Sequence, residues 1–288
     1  MNRFIKKKRY FYCKILLCIL LSFILIIGCT MKSSNSFYKD TIGSYSQDNA
    51  YLKGLSGSVN VLLEKVVRKL HLSGKGIPVL MYHCIGDDAS DAKELYVSPS
   101  EFKKQLEYIK SAGYTPIDFR QAVNPKGVKK PVIITFDDGY ADNYINAFPL
   151  LKEYNFKATI FLISDAIGKK KFLGIPDIQK MQSLIDFQSH SVMHPYLSDI
   201  SLDKVDYEVR ESQRAIEHIT GKPVFVFAYP FGNYNQNVVN IVKKYYKYAL
   251  TTEYGVFYRS FSNAYEIKRK AVLRSTSMKQ FVDELKST

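Results

Sequence analysis

Two short clusters in this sequence combine residue types that can hold a cation and move a proton. In the first, Asp137-Asp138-Gly139-Tyr140 follows the apolar run Val132-Ile133-Ile134-Thr135-Phe136. Adjacent carboxylates repel unless a cation or a proton gives them different roles. Asp-Asp-Gly alone reads as a turn, so its chemical meaning depends on a second cluster. That cluster is His190-Ser191-Val192-Met193-His194, two imidazoles four residues apart directly after another apolar run. At this spacing both rings can face one ion. Two His and one carboxylate leave coordination positions open for water and substrate, the pattern of a catalytic rather than a structural site. The chemistry predicted is catalysis at a divalent ion, zinc first, with cobalt, nickel or manganese as alternatives.

The elements that must position these clusters alternate along the chain. Apolar runs predict strands over Pro78–Tyr82, Val132–Phe136, Ala158–Ile163, Ile185–Gln188, Val224–Phe227 and Tyr248–Thr252, with helical stretches near 142–153, 202–219 and 236–246. Ser98-Pro99-Ser100-Glu101 combines a capping Ser, a Pro at the first helical position and a Glu three residues after the cap. It predicts a helix start, with Phe102, Leu106 and Ile109 as its apolar face. Strand and helix in alternation imply an α/β fold with a parallel sheet covered by helices, and six or seven such units can close into a barrel. Both clusters then lie at the carboxyl ends of strands, where β/α folds build active sites.

Thr135-Phe136-Asp137-Asp138-Gly139 and His190-Ser191-x-x-His194 together resemble the first two motifs of the polysaccharide deacetylases of the NodB-homology, carbohydrate esterase family 4 type, over about the last 210 residues. The resemblance implies a distorted (β/α) barrel spanning residues 76–288. It also implies Asp137 as base, and Asp138, His190 and His194 as metal ligands. Phe227-Ala228-Tyr229-Pro230-Phe231-Gly232 resembles the third motif, a wall of the substrate groove, so Tyr229, Pro230 and Phe231, with Tyr140 beside the Asp pair, are the expected substrate contacts. Two departures stand out. Ala228 occupies the place where many members have an Arg that orients the base, and the late Leu-x-His motif that supplies an acid is missing, since no His follows His218.

Upstream, Pro78-Val79-Leu80-Met81-Tyr82-His83 resembles the first strand of the branch that deacetylates poly-β-1,6-N-acetylglucosamine, where a His at this position stands in for the late one. His83 is therefore the expected general acid. Thr251-Thr252-Glu253-Tyr254-Gly255 and Ile267-Lys268-Arg269 are similar to the same branch, with Arg269 as a weaker candidate for a supporting role. The expected substrate is an extracellular N-acetylglucosamine polysaccharide. Peptidoglycan is the alternative polymer, and a non-catalytic sugar-binding relative the alternative class. Cys84, next to His83, is not needed as a nucleophile where a metal site activates water, and His71 and His218 read as solvated.

The amino terminus predicts where this chemistry takes place. Arg3, Lys6, Lys7, Lys8, Arg9 and Lys14 precede an uncharged run from Ile15 to Ile27, which ends at Gly28-Cys29. The run is shorter than the roughly 20 residues of a spanning helix, and the pattern reads as a secretory signal. Leu25-Ile26-Ile27-Gly28-Cys29 resembles a bacterial lipobox, which implies a signal peptide over residues 1–28 and a lipidated Cys29 holding the protein at the extracellular face of the cell membrane. Losing that signal removes six of the 41 bases and none of the 27 acids, so the excess falls from +14 to +8. Such a charge suits anionic lipid or wall polymers, and nothing resembles a nucleic-acid-binding module. Cys13 and Cys18 leave with the signal and Cys29 is acylated, so Cys84 remains alone and no intrachain disulfide is expected. Residues 29–75 read as a polar spacer carrying an amphipathic helix, whose stripe is Val59, Leu62, Leu63, Val66, Val67 and Leu70.

Overall fold

The computed structural model describes residues 76–87, 92–122, 125, 127–259 and 262–287. The predicted signal, the Cys29 anchor, the spacer, its amphipathic helix and His71 lie outside the described residues.

Ten strands are present among the described residues: β1 (Val79–Tyr82), β2 (Cys84–Ile85), β3 (Tyr96–Val97), β4 (Thr115–Pro116), β5 (Pro131–Phe136), β6 (Ala158–Leu162), β7 (Ile185–Ser189), β8 (Val226–Ala228), β9 (Tyr248–Tyr254) and β10 (Ile267–Ala271). Seven of them close a ring. β1 pairs with both β5 and β10, and β5, β6, β7, β8, β9 and β10 pair in succession, every pairing parallel. Short β4 adds to the start of β5, while β2 and β3 form a separate pair. Helices Pro99–Ser111, Phe148–Tyr154, Ile175–Met181, Leu202–Thr220, Gln236–Tyr245 and Met278–Lys286 accompany the ring, which is a (β/α) barrel.

A parallel strand buried on both faces needs apolar residues at successive positions, and β1, β5 and β6 consist largely of them. The two faces serve two cores. Val79, Ile133, Phe161, Val226, Ala228, Leu250 and Ile267 fill the barrel interior. Leu80, Tyr82, Val132, Ile134, Phe136, Ile160, Leu162 and Phe187 pack outward in a cluster that also takes in Phe102, Leu106 and Ile109 of Pro99–Ser111 and Val205, Val209 and Ile216 of Leu202–Thr220. Side chains alternate along a strand, so the interior parity runs 79, 81, 83 on β1, 133, 135, 137 on β5 and 267, 269 on β10. On β7 it runs 186, 188, 190. Tyr82 is level with Phe136, which sets His83 beside Asp137 at the carboxyl rim.

Local chemistry ends the elements where the ladder cannot continue. Ser98 caps Pro99–Ser111 by accepting the Glu101 N–H at 3.2 Å. β8 starts two residues later than its apolar run suggests, because the Gln188 side-chain oxygen takes the N–H groups of Phe225 and Val226 at 2.9 and 2.8 Å. The helix expected near 142–153 is a π-helical turn, Asn143–Ala147, running into Phe148–Tyr154. β10 and the helices Ile175–Met181 and Met278–Lys286 are additions to the predicted elements.

Candidate active site

Asp137 and Asp138 leave β5 at a sharp bend. Asp138 has φ 70° and Gly139 φ 76°, conformations that Asp tolerates and Gly takes freely. A Cβ on Gly139 would also meet Leu162 Cδ2 at 2.6 Å, so the bend lies close against β6. His190 follows β7, and the loop after it kinks through the left-handed region at Ser191 (φ 68°) and again at His194 (φ 59°). Such backbone costs of order 1–3 kcal/mol per residue and persists only where the surroundings fix it. Here Ser191 Oγ accepts the His194 N–H at 2.9 Å.

These bends bring three donor atoms together. His190 Nε2 lies 3.2 Å from His194 Nε2 and 3.5 Å from Asp138 Oδ1, and His194 Nε2 lies 3.4 Å from the same oxygen. Donors about 2.0–2.2 Å from a tetrahedral zinc are separated by roughly 3.3–3.6 Å, so the triangle is the right size for one ion. Two further observations fit. Asp138 Oδ1 is buried without a hydrogen-bond partner, and His190 Nδ1 donates to the Ala228 carbonyl at 2.8 Å, leaving Nε2 unprotonated toward the triangle. Asp138, His190 and His194 can therefore hold a divalent metal.

The electrostatics divide the carboxylates. Burial alone would raise Asp137, but Arg269 outweighs it with its charge and two hydrogen bonds, both 2.7 Å, and with His190 holds this carboxyl far below the usual range. Arg269 is itself fully buried and fixed by its Nε bond to the Thr251 carbonyl at 2.9 Å. Asp138 is pushed up to about 7, first by burial and then by the charge of Asp137, although the Tyr140 hydroxyl bonds to it. Burial draws His190 down to about 3 and lowers His194 and His83, against the opposing pull of Asp137. The close His–Asp138 contacts are thus not ion pairs. Burial disfavours charge on both imidazoles and on the carboxyl they surround, an arrangement that a bound cation would relieve.

His83 reaches the same rim, half-buried, with Nδ1 buried and unpartnered and with Asp137 and Arg269 as its charged neighbours. The expected substrate contacts separate. Phe231 is 50% exposed, stacked on Tyr196 at 4.1 Å and edge-on to His194 at 4.3 Å. Tyr229 is a correction: it is fully buried, packed on Phe227 and Tyr234, because it continues β8 into the outward-facing core. Pro230 is buried too, and Tyr140 directs its hydroxyl to Asp138 while stacking on Phe172. Cys84 is buried, and burial foremost raises its thiol, as an inert side chain requires. His218 is exposed on its helix.

Sequence reasoning gave Arg269 too small a part and passed over Tyr196. The only signals were the Arg in Ile267-Lys268-Arg269 and the Tyr two residues after His194. Ala228 on β8 is fully buried in the barrel interior and carries no charge, and Arg269 brings the guanidinium to Asp137 from β10.

The sequence profile described as polysaccharide deacetylase matches residues 124–249. A Bacillus subtilis (strain 168) protein named "Putative polysaccharide deacetylase YxkH" is 33% identical over 186 residues, covering 62% of this chain and 65% of its own. A Staphylococcus epidermidis protein named poly-β-1,6-N-acetyl-D-glucosamine N-deacetylase is 28% identical over 175 residues, covering 54% of this chain and 61% of its own. The chain thus spans less than two thirds of either curated relative. The crystal structure of a polysaccharide deacetylase from Bacillus cereus superposes with a TM-score of 0.70 at 34% identity, covering 74% of this chain and 69% of that one. Barrel, motif order and these likenesses agree, and the chain belongs to the polysaccharide deacetylase family.

Proposed function

We propose that this protein is a metal-dependent N-deacetylase that removes acetyl groups from N-acetylglucosamine units of an extracellular polysaccharide, poly-β-1,6-N-acetylglucosamine first. The observation that carries the reading is one rim on which a three-donor triangle, the Asp137–Arg269 pair and His83 stand side by side.

When bound by Asp138, His190 and His194, a divalent ion, zinc first, supplies Lewis acidity toward a carbonyl and a water. Asp137, kept ionised by Arg269, takes the proton of the attacking water. His83 gives a ring proton to the departing nitrogen, without which an amine is a poor leaving group. The C–N bond breaks, and acetate and a glucosamine unit result. The Phe231–Tyr196 pair offers a flat apolar face beside His194, suited to a pyranose ring.

The linkage is supported by the printed name of the Staphylococcus epidermidis relative and by His83 at the end of β1. The location is supported by the signal-like amino terminus and by Gly28-Cys29. Lipidation at Cys29 is tested by fractionation: Cys29→Ser moves the protein from membranes to medium or leaves an uncleaved precursor, and unchanged fractionation and migration refute the anchor. Substrate is tested by mass spectrometry of acetate released from β-1,6-linked and β-1,4-linked N-acetylglucosamine oligomers. Faster release from the β-1,6 series is expected, a preference for the β-1,4 series transfers the assignment to peptidoglycan, and release from neither refutes deacetylation of these polymers.

A further inference from the structure

The end of β7 and the loop between His190 and His194 are tied at two points to one helix. Ser212 Oγ on Leu202–Thr220 meets Ser189 Oγ, the residue before His190, at 2.7 Å. One turn earlier on the same face, Glu208 accepts two consecutive loop N–H groups on a single carboxylate oxygen, Val192 at 2.9 Å and Met193 at 2.8 Å. Residues four apart on a helix lie above one another, so the two ties bracket His190 and end immediately before His194. The helix is itself held in the core by Val205, Val209 and Ile216.

Glu208 is 6% exposed. A carboxylate out of water is retained at a cost unless its bonds replace hydration, and charge-assisted bonds to backbone N–H groups are the stronger kind. The two bonds act on the segment between the left-handed residues Ser191 and His194. Without them this helix would hold the segment only through the Ser189–Ser212 bond, and the Ser164 and Asp165 N–H groups reach only the Ser191 and Val192 carbonyls. Met193 and the turn into His194 would then be free to relax and to change the 3.2 Å separation of His194 Nε2 from His190 Nε2.

We propose that Glu208 is a positioning residue for the metal: by gripping the Val192 and Met193 amides it fixes the separation of the two imidazoles and so sets cation affinity. This rests on the triangle of Asp138, His190 and His194 binding a divalent ion. Outer partners of metal ligands typically contribute 10–100-fold in affinity.

The test is competition for Zn²⁺ between the full chain and a chromophoric chelator, with thermal melting of the metal-free protein alongside. Glu208→Ala is expected to bind zinc about 10–100-fold more weakly. Glu208→Gln, whose amide oxygen can still accept both N–H groups, is expected to fall between Ala and wild type, and it keeps the test open where the Ala variant fails to fold. Affinity equal to wild type in the folded variants, with only the metal-free melting temperature lowered, overturns the positioning role and leaves a structural one. Zinc that fails to bind even to wild type refutes the metal site itself, a separate failure recognised before any variant is compared.

Discussion

Replacing Arg269 by Met keeps the bulk of the side chain and removes its charge and donors. The wild-type guanidinium makes two 2.7 Å bonds to Asp137, and both partners are almost wholly buried. Removing one partner of a buried pair typically costs about 3–5 kcal/mol, and for a domain of this size each kcal/mol moves the melting temperature by roughly 2–4 °C. A drop of about 6–20 °C at pH 7 is therefore expected. The sign with pH follows from linkage. In wild type the folded carboxyl of Asp137 is held below its unfolded value, so its stabilisation is complete above about pH 4 and is lost as pH falls through the folded value. In Arg269→Met burial, the largest influence, pushes the carboxyl up against only His190 and His83, so the variant is penalised most where Asp137 must ionise. The melting-temperature gap should narrow on acidification from pH 7 toward pH 4. With Asp137 as the proposed base, turnover should fall by up to about 10²–10⁴-fold, and the acid limb of the pH–rate profile should move upward. Arg269→Lys, a point charge without the planar fork, should recover part of each. A variant that melts within a degree of wild type, or a gap that widens on acidification, would refute this account of the pair.

Asp137→Asn should keep the metal and lose most turnover, whereas His194→Ala should lose both; metal content of the purified variants decides, and a metal-free Asp137→Asn protein contradicts the division of roles. His83→Ala should reduce amide turnover about 10²–10⁴-fold with metal retained and cost far less on a phenyl acetate, whose leaving group needs no proton. Wild-type amide turnover should decline as pH rises through the pKa of His83, which burial lowers, and equal losses on amide and ester would make His83 a shaping residue only. Tyr196→Ala and Phe231→Ala should each raise KM for oligosaccharides several-fold with kcat less affected, at about 0.5–1.5 kcal/mol for an aromatic contact; unchanged KM would remove this face from the substrate path.

What the sequence discloses follows the range of the physics involved. The Asp pair and the His pair are legible because each is local: an apolar strand, then ligand-type residues at fixed spacing. The parallel barrel is legible from the alternation, and its period-two parity places Asp137 and His190 on the interior side. Arg269 is hard to read because its partner lies far away in sequence, and because three consecutive basic residues in Ile267-Lys268-Arg269-Lys270-Ala271 leave no apolar strand pattern. In the structure it is β10, with Arg269 and Lys270 fully buried. Lys270 escapes the usual cost by donating to the Glu284 and Ser287 carbonyls and to Ser287 Oγ at the end of Met278–Lys286. Tyr229 and Phe231 sit two apart in one motif and meet opposite fates, since Phe231 takes φ 57° and swings out beside His194 while Tyr229 stays in the core. Composition records none of that backbone geometry.

The central claim is that Asp138, His190 and His194 hold an ion with which Asp137 and His83 cleave an N-acetyl group. Its most direct test is acetate release from a defined β-1,6-linked N-acetylglucosamine oligomer by wild-type protein, measured before chelation, after complete removal of metal, and after zinc is restored. Release that stops on stripping and returns with zinc is the predicted result. Acetate formed at an undiminished rate by the stripped protein would contradict the claim.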